Sequence, residues 1–446
     1  MTTHRMSLAT RVSGLAFVAA LFGAAPAFAA DDAQPAPTAA VQPPPSASGP
    51  DIFSKNTLSI LLDGRLVVAN GAESFVNHGF GKTRFQGAAN GNFEAKALPM
   101  EADLVWMPRF SNSLSANVSA GWQHDHGDSP DLIEAYMTYL PARTGNVSLS
   151  GRIGLMWPEI SQEHSTGGAW TVVNSITPSA INSWVGEETK VIGAEGTLHI
   201  AAGDHELGFT GAVFGWNDTS GTLLSFRGWA LHDEKATAFG HILLPPRNAF
   251  LTLAQQDRTR NTDEIDHQPG WYVRADWRPP WPFGVNLFYY DNRGNPEAVT
   301  QSLQWGWRTR FWNLGVNADL GHQTKLLAQG MIGSTKMGFP VNGQRWVDTD
   351  FRSVYVLLTH NFGPFAATGR IEGFATREHG SEMSPNNSED GWSWTLAARF
   401  PINEHLTVLG EVLNVHSWRG TRVDLAGLPS PFESQSVFQI ALRARL

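Results

Sequence analysis

Residues 146–157 (NVSLSGRIGLMW) and residues 189–200 (TKVIGAEGTLHI) decide the fold. In the first segment apolar residues such as Leu149 and Ile153 alternate with polar ones such as Ser150 and Arg152. The second segment alternates in the same way, with Ile192 and Leu198 on the apolar side. A period of two with one apolar and one polar side predicts β-strands that lie between two different solvents.

An insert of residues 158–188 separates these two strands and lacks their alternation. Loops of this length are usually functional or disordered. The insert holds Trp170 and Trp184, and it predicts a short helix with Thr177 as N-cap and Pro178 at the first helical position. Because this apolar content needs something to pack against, we expect the insert to fold into the mouth or lumen of a β-barrel and to narrow it.

The N-terminal part of the sequence has the pattern of an export signal followed by a linker. Arg5 and Arg11 flank the start of an apolar run that ends at a small-residue cleavage site, which predicts a signal peptide over residues 1–29. Residues 30–50 are rich in proline and alanine, as expected of an extended periplasmic tether. We therefore expect the barrel to occupy residues 51–446.

The composition narrows the class of protein. The formal net charge is −9, and it falls to −11 without the signal peptide because two arginines and no acidic residue leave. This charge disfavours nucleic acid as a partner. Cysteine is absent, so disulfides and thiolate metal sites are excluded. The chain has 17 tryptophans, and no apolar run approaches the roughly 20 residues of a spanning helix. Many alternating segments in an exported chain predict a transmembrane antiparallel β-barrel, with a soluble β-sandwich or propeller as the alternative.

Turn lengths provide an estimate of the number of strands. In such barrels short turns on one rim alternate with longer loops on the other. The turns and loops of this sequence alternate in this way if residues 218–237 are counted as one loop. This alternation predicts about 18 strands, with 16 as the alternative. The least regular strand of this count is residues 238–244, and further strands are expected at residues 249–257 and 301–310.

The last predicted strand, residues 435–446, alternates Phe438, Ile440 and Leu442 with Gln439 and Arg443. Outer-membrane proteins resemble this pattern, since they end in a strand with an apolar last residue. Together with the signal, the tether, the long early loop and the arginine-bearing strands, the chain resembles the porins of Gram-negative outer membranes. Within them it is most similar to the phosphate-selective and related specific porins. The resemblance implies a homotrimer of water-filled barrels in the outer membrane, in contact with its lipid and lipopolysaccharide.

The polar faces of the predicted strands carry more arginines than carboxylates. If the apolar faces contact lipid, these arginines line the pore, and rings of positive charge favour anions such as phosphate. The alternative is a ladder of arginines and acids that only braces the wall. The candidate pore-lining residues are Arg65, Arg152, Arg274, Arg278, Arg308, Arg310, Arg352, Arg370 and Arg399. The candidate residues of the constricting insert are Trp170, Trp184, Glu187 and Glu188.

The phase of residues 304–311 illustrates how these faces are assigned. Here we expect Trp305, Trp307 and Phe311 to face lipid and Arg308 and Arg310 to face the lumen, because arginine in hydrocarbon costs about 2–4 kcal/mol. Tryptophans near strand ends are expected to form interfacial girdles. The members expected are Trp106, Trp122, Trp157, Trp216, Trp271, Trp277, Trp281, Trp392 and Trp418.

The remaining motifs give little support to other functions. His124, Asp125 and His126 suit a metal only weakly, because no second ligand pair follows at zinc-site spacing. The sequence contains no Gly-x-Ser-x-Gly elbow, so we expect neither an enzyme nor a cofactor. The function predicted is passive diffusion of small hydrophilic solutes. The alternatives are a non-conducting barrel with a structural or surface-binding role, and a sugar-specific porin.

Overall fold

Antiparallel strands close into a single barrel in the computed structural model, which describes residues 49–165 and 167–446. The predicted signal peptide, and all of the predicted tether except its last two residues, lie outside the described part. The first strand pairs with both the second and the last, for example Leu61 with Arg445, and this pairing closes the barrel. None of the helices described is long and apolar enough to cross a membrane.

Sixteen of the eighteen strands in the described residues form the barrel, and β8 and β9 form a separate two-stranded sheet. The barrel strands are β1 (Leu58–Ala69), β2 (Glu94–Trp106), β3 (Leu114–Gln123), β4 (Asp131–Tyr139), β5 (Val147–Met156), β6 (Val191–Ala202), β7 (His205–Gly215), β10 (Gly270–Arg278), β11 (Phe283–Asp291), β12 (Arg308–Asp319), β13 (Thr324–Val341), β14 (Gln344–Phe362), β15 (Phe365–Glu378), β16 (Glu389–Pro401), β17 (Leu406–Arg419) and β18 (Phe432–Arg445). The small sheet consists of β8 (Ile242–Leu243) and β9 (Arg258–Thr259). The all-β antiparallel barrel is thus confirmed, with 16 strands, the alternative count.

The expected excess of two strands arose within residues 216–269. This segment forms one long loop, here called loop 4, which runs from the end of β7 to β10. Residues 249–257, expected as a strand, instead contain a helix whose N-cap Asn248 accepts a hydrogen bond from the Leu251 N–H over 2.8 Å. The short apolar runs of this loop resemble strands in sequence because they too are buried on one side.

Opposite faces of each strand lie in different environments. In β1 the outward residues Ile60, Leu62 and Leu66 are exposed, whereas the inward Asp63 and Arg65 are only 3% exposed. Outward apolar side chains recur around the wall, and aromatic residues such as Phe362 lie near the short turns. An apolar outer band flanked by aromatic residues is the surface of a barrel that spans a membrane.

Short turns and long loops lie at opposite rims. Short turns near the chain termini mark the periplasmic rim, and the long loops mark the extracellular rim. Besides loop 4, two long loops matter here: loop 1 (residues 70–93) and loop 3 (residues 157–190). The described helices are a 3-10 turn (Phe75–Asn77), α1 (Ala180–Glu188), α2 (Thr222–Phe226), α3 (Ala249–Ala254) and α4 (Thr421–Asp424).

The expected facing of residues 304–311 is wrong. Trp305 and Trp307 belong to the loop before β12 and are buried there, at 4% and 0% exposure. The strand begins only at Arg308, and the inward residues of this stretch are Thr309 and Phe311, at 0% and 1% exposure. The aromatic-rich loop was taken for a strand, and the phase of the true strand was therefore shifted by one residue, which exchanges its two faces.

Candidate functional site

Loop 3 folds into the barrel as expected, and α1 lies at its centre. The helix begins two residues later than predicted, because Ser179 rather than Thr177 is the N-cap and accepts a hydrogen bond from the Asn182 N–H. Trp184 packs against Phe311 and Phe351 of the inner wall, with ring centroids 5.3 Å apart in both pairs. All nine residues of α1 are buried, so the helix is enclosed by the wall and by other loops.

The wall formed by β15 to β17 holds loop 3 through buried polar groups. Glu411 accepts hydrogen bonds from the N–H groups of Ile176 and Thr177, over 2.7 and 2.9 Å. Glu372 accepts one from the Ala180 N–H over 2.6 Å. Arg370 donates to the Thr177 carbonyl and to the Pro178 carbonyl, over 2.9 and 3.0 Å. Since these contacts satisfy backbone groups just before α1 and at its first residue, they fix the position of the helix against this wall.

Arg370 also belongs to a buried ion-pair network. It contacts Glu163 of loop 3 over 2.9 Å and Glu372 of its own strand over 3.0 Å. All three side chains are at most 1% exposed. The arginine predicted to line the pore therefore faces inward but is covered by loop 3, where it serves to hold the loop.

Loop 4 lies over loop 3 and binds the end of α1. Arg227 donates to both carboxylate oxygens of Glu187, over 2.7 and 2.5 Å. Glu188 accepts hydrogen bonds from the Leu223 and Leu224 N–H groups, over 2.9 and 3.2 Å, and from the Trp184 indole over 2.6 Å. Both carboxylates suggested for the constriction are thus engaged within the protein.

The two neighbouring carboxylates have opposite pKa shifts. Burial raises the pKa of Glu187, but Arg227 and His232 overcome this effect and hold the pKa at about 2. Burial raises the pKa of Glu188 to about 7, and the hydrogen bonds from Leu223 and Trp184 offset it only in part. Glu187 is therefore an anion at neutral pH, whereas Glu188 exchanges its proton near pH 7.

Loop 1 joins the same cluster of loops. Lys82 contacts Glu389 of β16 over 2.6 Å and donates to the Arg227 and Trp229 carbonyls, over 3.1 and 3.0 Å. Burial lowers the pKa of Lys82 to about 7, against the opposing effect of Glu389. Asp233 of loop 4 forms ion pairs with Arg84 of loop 1, over 3.1 Å, and with Arg65 of β1. Loops 1, 3 and 4 are thus bound to one another and to the wall.

The central lumen is occupied by these packed loops. Every barrel strand in the described residues contributes an inward side chain that is at most 9% exposed. One such residue from each strand, in chain order, is Val67, Asp103, Ser119, Glu134, Arg152, Val191, Phe214, Tyr272, Phe288, Phe311, Met331, Phe351, Phe374, Ser393, Leu413 and Val437. Packing of this density leaves little room for water, so the lumen is narrow at this depth.

Polar side chains with access to solvent lie closer to the periplasmic rim. Arg278 faces Glu206 across 4.0 Å, and both side chains are more than 40% exposed. Arg399 and Arg445 also face inward here, on β16 and β18. In residues 49–165 and 167–446 neither has a carboxylate within 4.0 Å. This periplasmic vestibule therefore carries positive charge that the protein does not neutralise locally.

Glu159 of loop 3 lies between two arginines of the wall. It contacts Arg152 over 3.7 Å and Arg274 over 3.5 Å, and its side chain is 38% exposed. Arg152 is also bound by Glu195, over 2.9 Å, and Arg274 by Asp276, over 2.6 Å. Unlike the wall from β15 to β17, this side of the lumen keeps partly exposed charges beside the loop.

The predicted pore-lining arginines divide into two groups. Those that face inward are Arg65, Arg152, Arg274, Arg278, Arg370 and Arg399. Arg308, Arg310 and Arg352 face outward, and their assignment to the lumen is corrected here. In β14 the inward neighbours Phe351 and Ser353 are 3% and 5% exposed, which places Arg352 on the other face.

The tryptophans of the insert are buried inside the barrel, and the girdle position expected for Trp157 is wrong. Trp170 is 7% exposed and stacks between Trp157, at 4.2 Å, and His164, at 3.6 Å. Trp184 is 1% exposed. Trp157 lies in this stack inside the barrel and does not join the outer girdle. These tryptophans therefore belong to the packed cluster of loops 1, 3 and 4, here called the plug of loops. Trp392 faces outward, as expected.

Several residues that build the site were not identified from the sequence. They are Lys82, Arg227, Asp233 and Glu389. Glu372 and Glu411 occupy inward positions of alternating strands, a signal that the sequence did contain. The loop residues carry no periodicity, and their partners lie far away in the chain.

Known proteins resemble this chain in structure. No protein-family description and no curated protein matches its sequence. The outer membrane channel DcaP of Acinetobacter baumannii is similar with a TM-score of 0.54 and 9% identity, over 90% of this chain and 99% of that chain. The anion-selective porin from Comamonas acidovorans has a TM-score of 0.47 and 11% identity, over 87% of this chain and 99% of that chain. At such identities the likeness concerns the fold.

The fold and the outer surface together define the class of protein. A closed antiparallel barrel with an apolar band outside and folded loops inside is the architecture of outer-membrane porins. The chain therefore has the fold of these outer-membrane channels, and its assignment as a porin is taken up as a proposal below. The phosphate-selective subgroup remains a prediction.

Proposed function

We propose that this barrel is a narrow outer-membrane channel for small hydrophilic solutes, with a preference for anions such as phosphate. The observation that supports the preference is the pair Arg399 and Arg445, whose charges no nearby carboxylate neutralises in the described residues. Transport needs no covalent step, so the proposal includes neither an enzyme nor a cofactor.

The vestibule would act through its electrostatic field. Positive groups in a polar recess with low-dielectric walls raise the local concentration of anions. Beyond the vestibule, the partly exposed Glu159 lies beside Arg152 and Arg274, whose side chains are 8% and 11% exposed, on the side of the lumen that loop 3 leaves least covered. A solute that passes here would exchange its hydration water for aligned polar groups.

A second candidate, a non-conducting barrel, is favoured by the packing of loops 1, 3 and 4. Buried inward side chains on every barrel strand described are the expected interior of a plugged barrel. The two candidates differ in a measurable way, because a plugged barrel gives no current steps in a planar bilayer. The homotrimer implied by the resemblance to porins stays a prediction, which chemical cross-linking in detergent tests.

Reversal potentials in a salt gradient test the preference for anions. We expect the wild-type protein to give an anion-selective potential and the double variant Arg399→Ala/Arg445→Ala to give one shifted towards cations. Arg308→Ala is the matched control, because Arg308 faces outward and is paired with Asp291 over 3.1 Å. A cation-selective wild type, or equal shifts in both variants, would end the anion proposal.

A further inference from the structure

A groove of about 620 Å³ lies on the outer face of the barrel, across β12 to β15. Its outward lining includes Arg310, Trp312, Ile332, Asp350, Arg352 and Arg377. The strands pair so that Trp312 lies opposite Ile332, which lies opposite Arg352. Apolar and charged side chains, the charged ones mostly arginines, therefore share one exposed surface.

Two of the arginines in this groove lack an acidic partner, whereas their cationic neighbours have one. The neighbouring pairs are Arg308 with Asp291 at 3.1 Å, Lys336 with Asp348 at 2.9 Å and Arg377 with Asp390 at 2.6 Å. Arg310 has only a hydrogen bond of 3.4 Å to Ser334. For Arg310 and Arg352, the structure holds no carboxylate within 4.0 Å among the residues it describes. The carboxylate that the lining does contain, Asp350, lies 3.3 Å from His379 and is 59% exposed. The groove thus presents two guanidinium groups that no carboxylate of the described residues pairs with.

The height of the groove places it at a membrane interface. Ten residues of β14 separate Arg352 from Phe362, which faces outward at the periplasmic rim. Ten residues span roughly 34 Å along a strand, and a strand tilt of about 40° leaves roughly 25 Å across the membrane, the height of the apolar band. Outward residues between them, such as Val354 and Leu358, are apolar. Arg352 therefore lies at the upper edge of the hydrocarbon, in the outer leaflet.

Aromatic side chains form the lower border of the groove. The rings of Tyr289 and Trp312 are 4.6 Å apart, and Trp312 is 48% exposed. Tyrosine and tryptophan at this depth favour the boundary between acyl chains and headgroups. A ligand with an apolar part below and an anionic part above would match both borders.

We propose that this groove binds the phosphorylated headgroup of lipopolysaccharide in the outer leaflet. Arg310 and Arg352 would grip a phosphate, for which the planar guanidinium is suited through paired hydrogen bonds. Trp312, Tyr289 and Ile332 would contact the acyl chains and the sugar above them. Lipopolysaccharide is the anion source that surrounds an outer-membrane barrel at this height, whereas free phosphate lacks the apolar part. The inference does not depend on conduction by the barrel.

Native mass spectrometry of the purified full-length mature protein in detergent tests this site. The protein is titrated with diphosphorylated lipid A, with dephosphorylated lipid A and with inorganic phosphate. We expect retained diphosphorylated lipid A on the wild type, and at least a tenfold weaker apparent affinity for Arg310→Ala/Arg352→Ala. Lys55→Ala/Arg143→Ala is the charge-matched control, because both residues are exposed near the periplasmic rim. Heat modifiability on gels verifies that each variant has a folded barrel.

The outcomes separate the possible occupants of the groove. The double variant Arg310→Ala/Arg352→Ala is here called the outer-wall variant. Loss of lipid A binding in this variant but not in the control, together with weak binding of dephosphorylated lipid A to the wild type, supports the proposal. Equal binding of both lipids, or equal affinity in both double variants, would refute it. Displacement of lipid A by millimolar inorganic phosphate would assign the groove to a free ion. Dissociation of oligomers in the outer-wall variant, with lipid binding unchanged, would assign it to a second copy of this chain.

Discussion

Arg227 of loop 4 binds Glu187 of loop 3 through both guanidinium terminal nitrogens, and Phe75 of loop 1 lies over the same guanidinium at 4.5 Å. Three loops that are distant in sequence therefore meet at one buried ion pair. The pair closes the cluster of loops in the centre of the barrel. Its strength should determine how readily the loops separate.

Replacement of Arg227 by alanine should loosen this cluster. The change leaves the Glu187 carboxylate buried without its partner, which costs about 3–5 kcal/mol when a buried pair is broken. We expect a lower thermal unfolding midpoint and larger, noisier currents in planar bilayers. The double variant Arg227→Leu/Glu187→Leu removes both charges and should recover much of the lost stability. Equal destabilisation of the single and the double variant would show that the ion pair is not the link.

The protonation of Glu188 should make the packing of loops 3 and 4 dependent on pH. Its pKa in the folded protein is about 7, above the value of about 4.3 for an unfolded chain. Since the folded state binds the proton more tightly, the stabilisation is full below pH of about 4.3 and is lost as the pH rises towards 7. As the pH rises from about 4.3 to 7, we expect the thermal unfolding midpoint of the wild type to fall. The midpoint of Glu188→Gln should fall less, because glutamine has no proton to lose. Identical pH profiles would contradict the shift.

Glu411 should hold loop 3 against the wall. Its buried side chain accepts hydrogen bonds from the N–H groups of Ile176 and Thr177. Replacement of Glu411 by alanine therefore leaves two backbone donors without partners. Each unsatisfied buried donor costs about 1–3 kcal/mol. Protease treatment of folded barrels in detergent measures the effect, and we expect faster cleavage within loop 3 in Glu411→Ala. Glu404→Ala, on an exposed periplasmic turn, is the control. Equal cleavage of the two variants would argue against this role.

The barrel was predictable because lipid and lumen impose alternation on every strand. The inward course of loop 3 was predictable too, since Trp170 and Trp184 needed burial. The facing of Arg310 was not, because it depends on where β12 begins, and a one-residue shift exchanges the faces. In β12 the aromatic loop that ends at Trp307 concealed that boundary. The facing of Arg352 was not predictable either, because the buried Phe351, Tyr355 and Leu357 make the inner face of β14 as apolar as its outer face.

The plug of loops was beyond sequence reasoning for a different reason. Glu187 and Arg227 are separated by a whole hairpin of the barrel, and no local pattern links them. Loop 4 also contains short apolar segments that are buried against the lumen wall. Burial on one side gives such segments the same pattern as strands, although they contribute no barrel strand.

Single-channel conductance in planar bilayers tests the central claim most directly, namely that loop 3 fills and narrows the lumen. The wild-type protein is compared with a variant that lacks residues 166–186, after heat modifiability has shown that both barrels are folded. We predict small or rare current steps for the wild type and a severalfold larger conductance for the deletion variant. Equal conductance of the two folded proteins would contradict the claim.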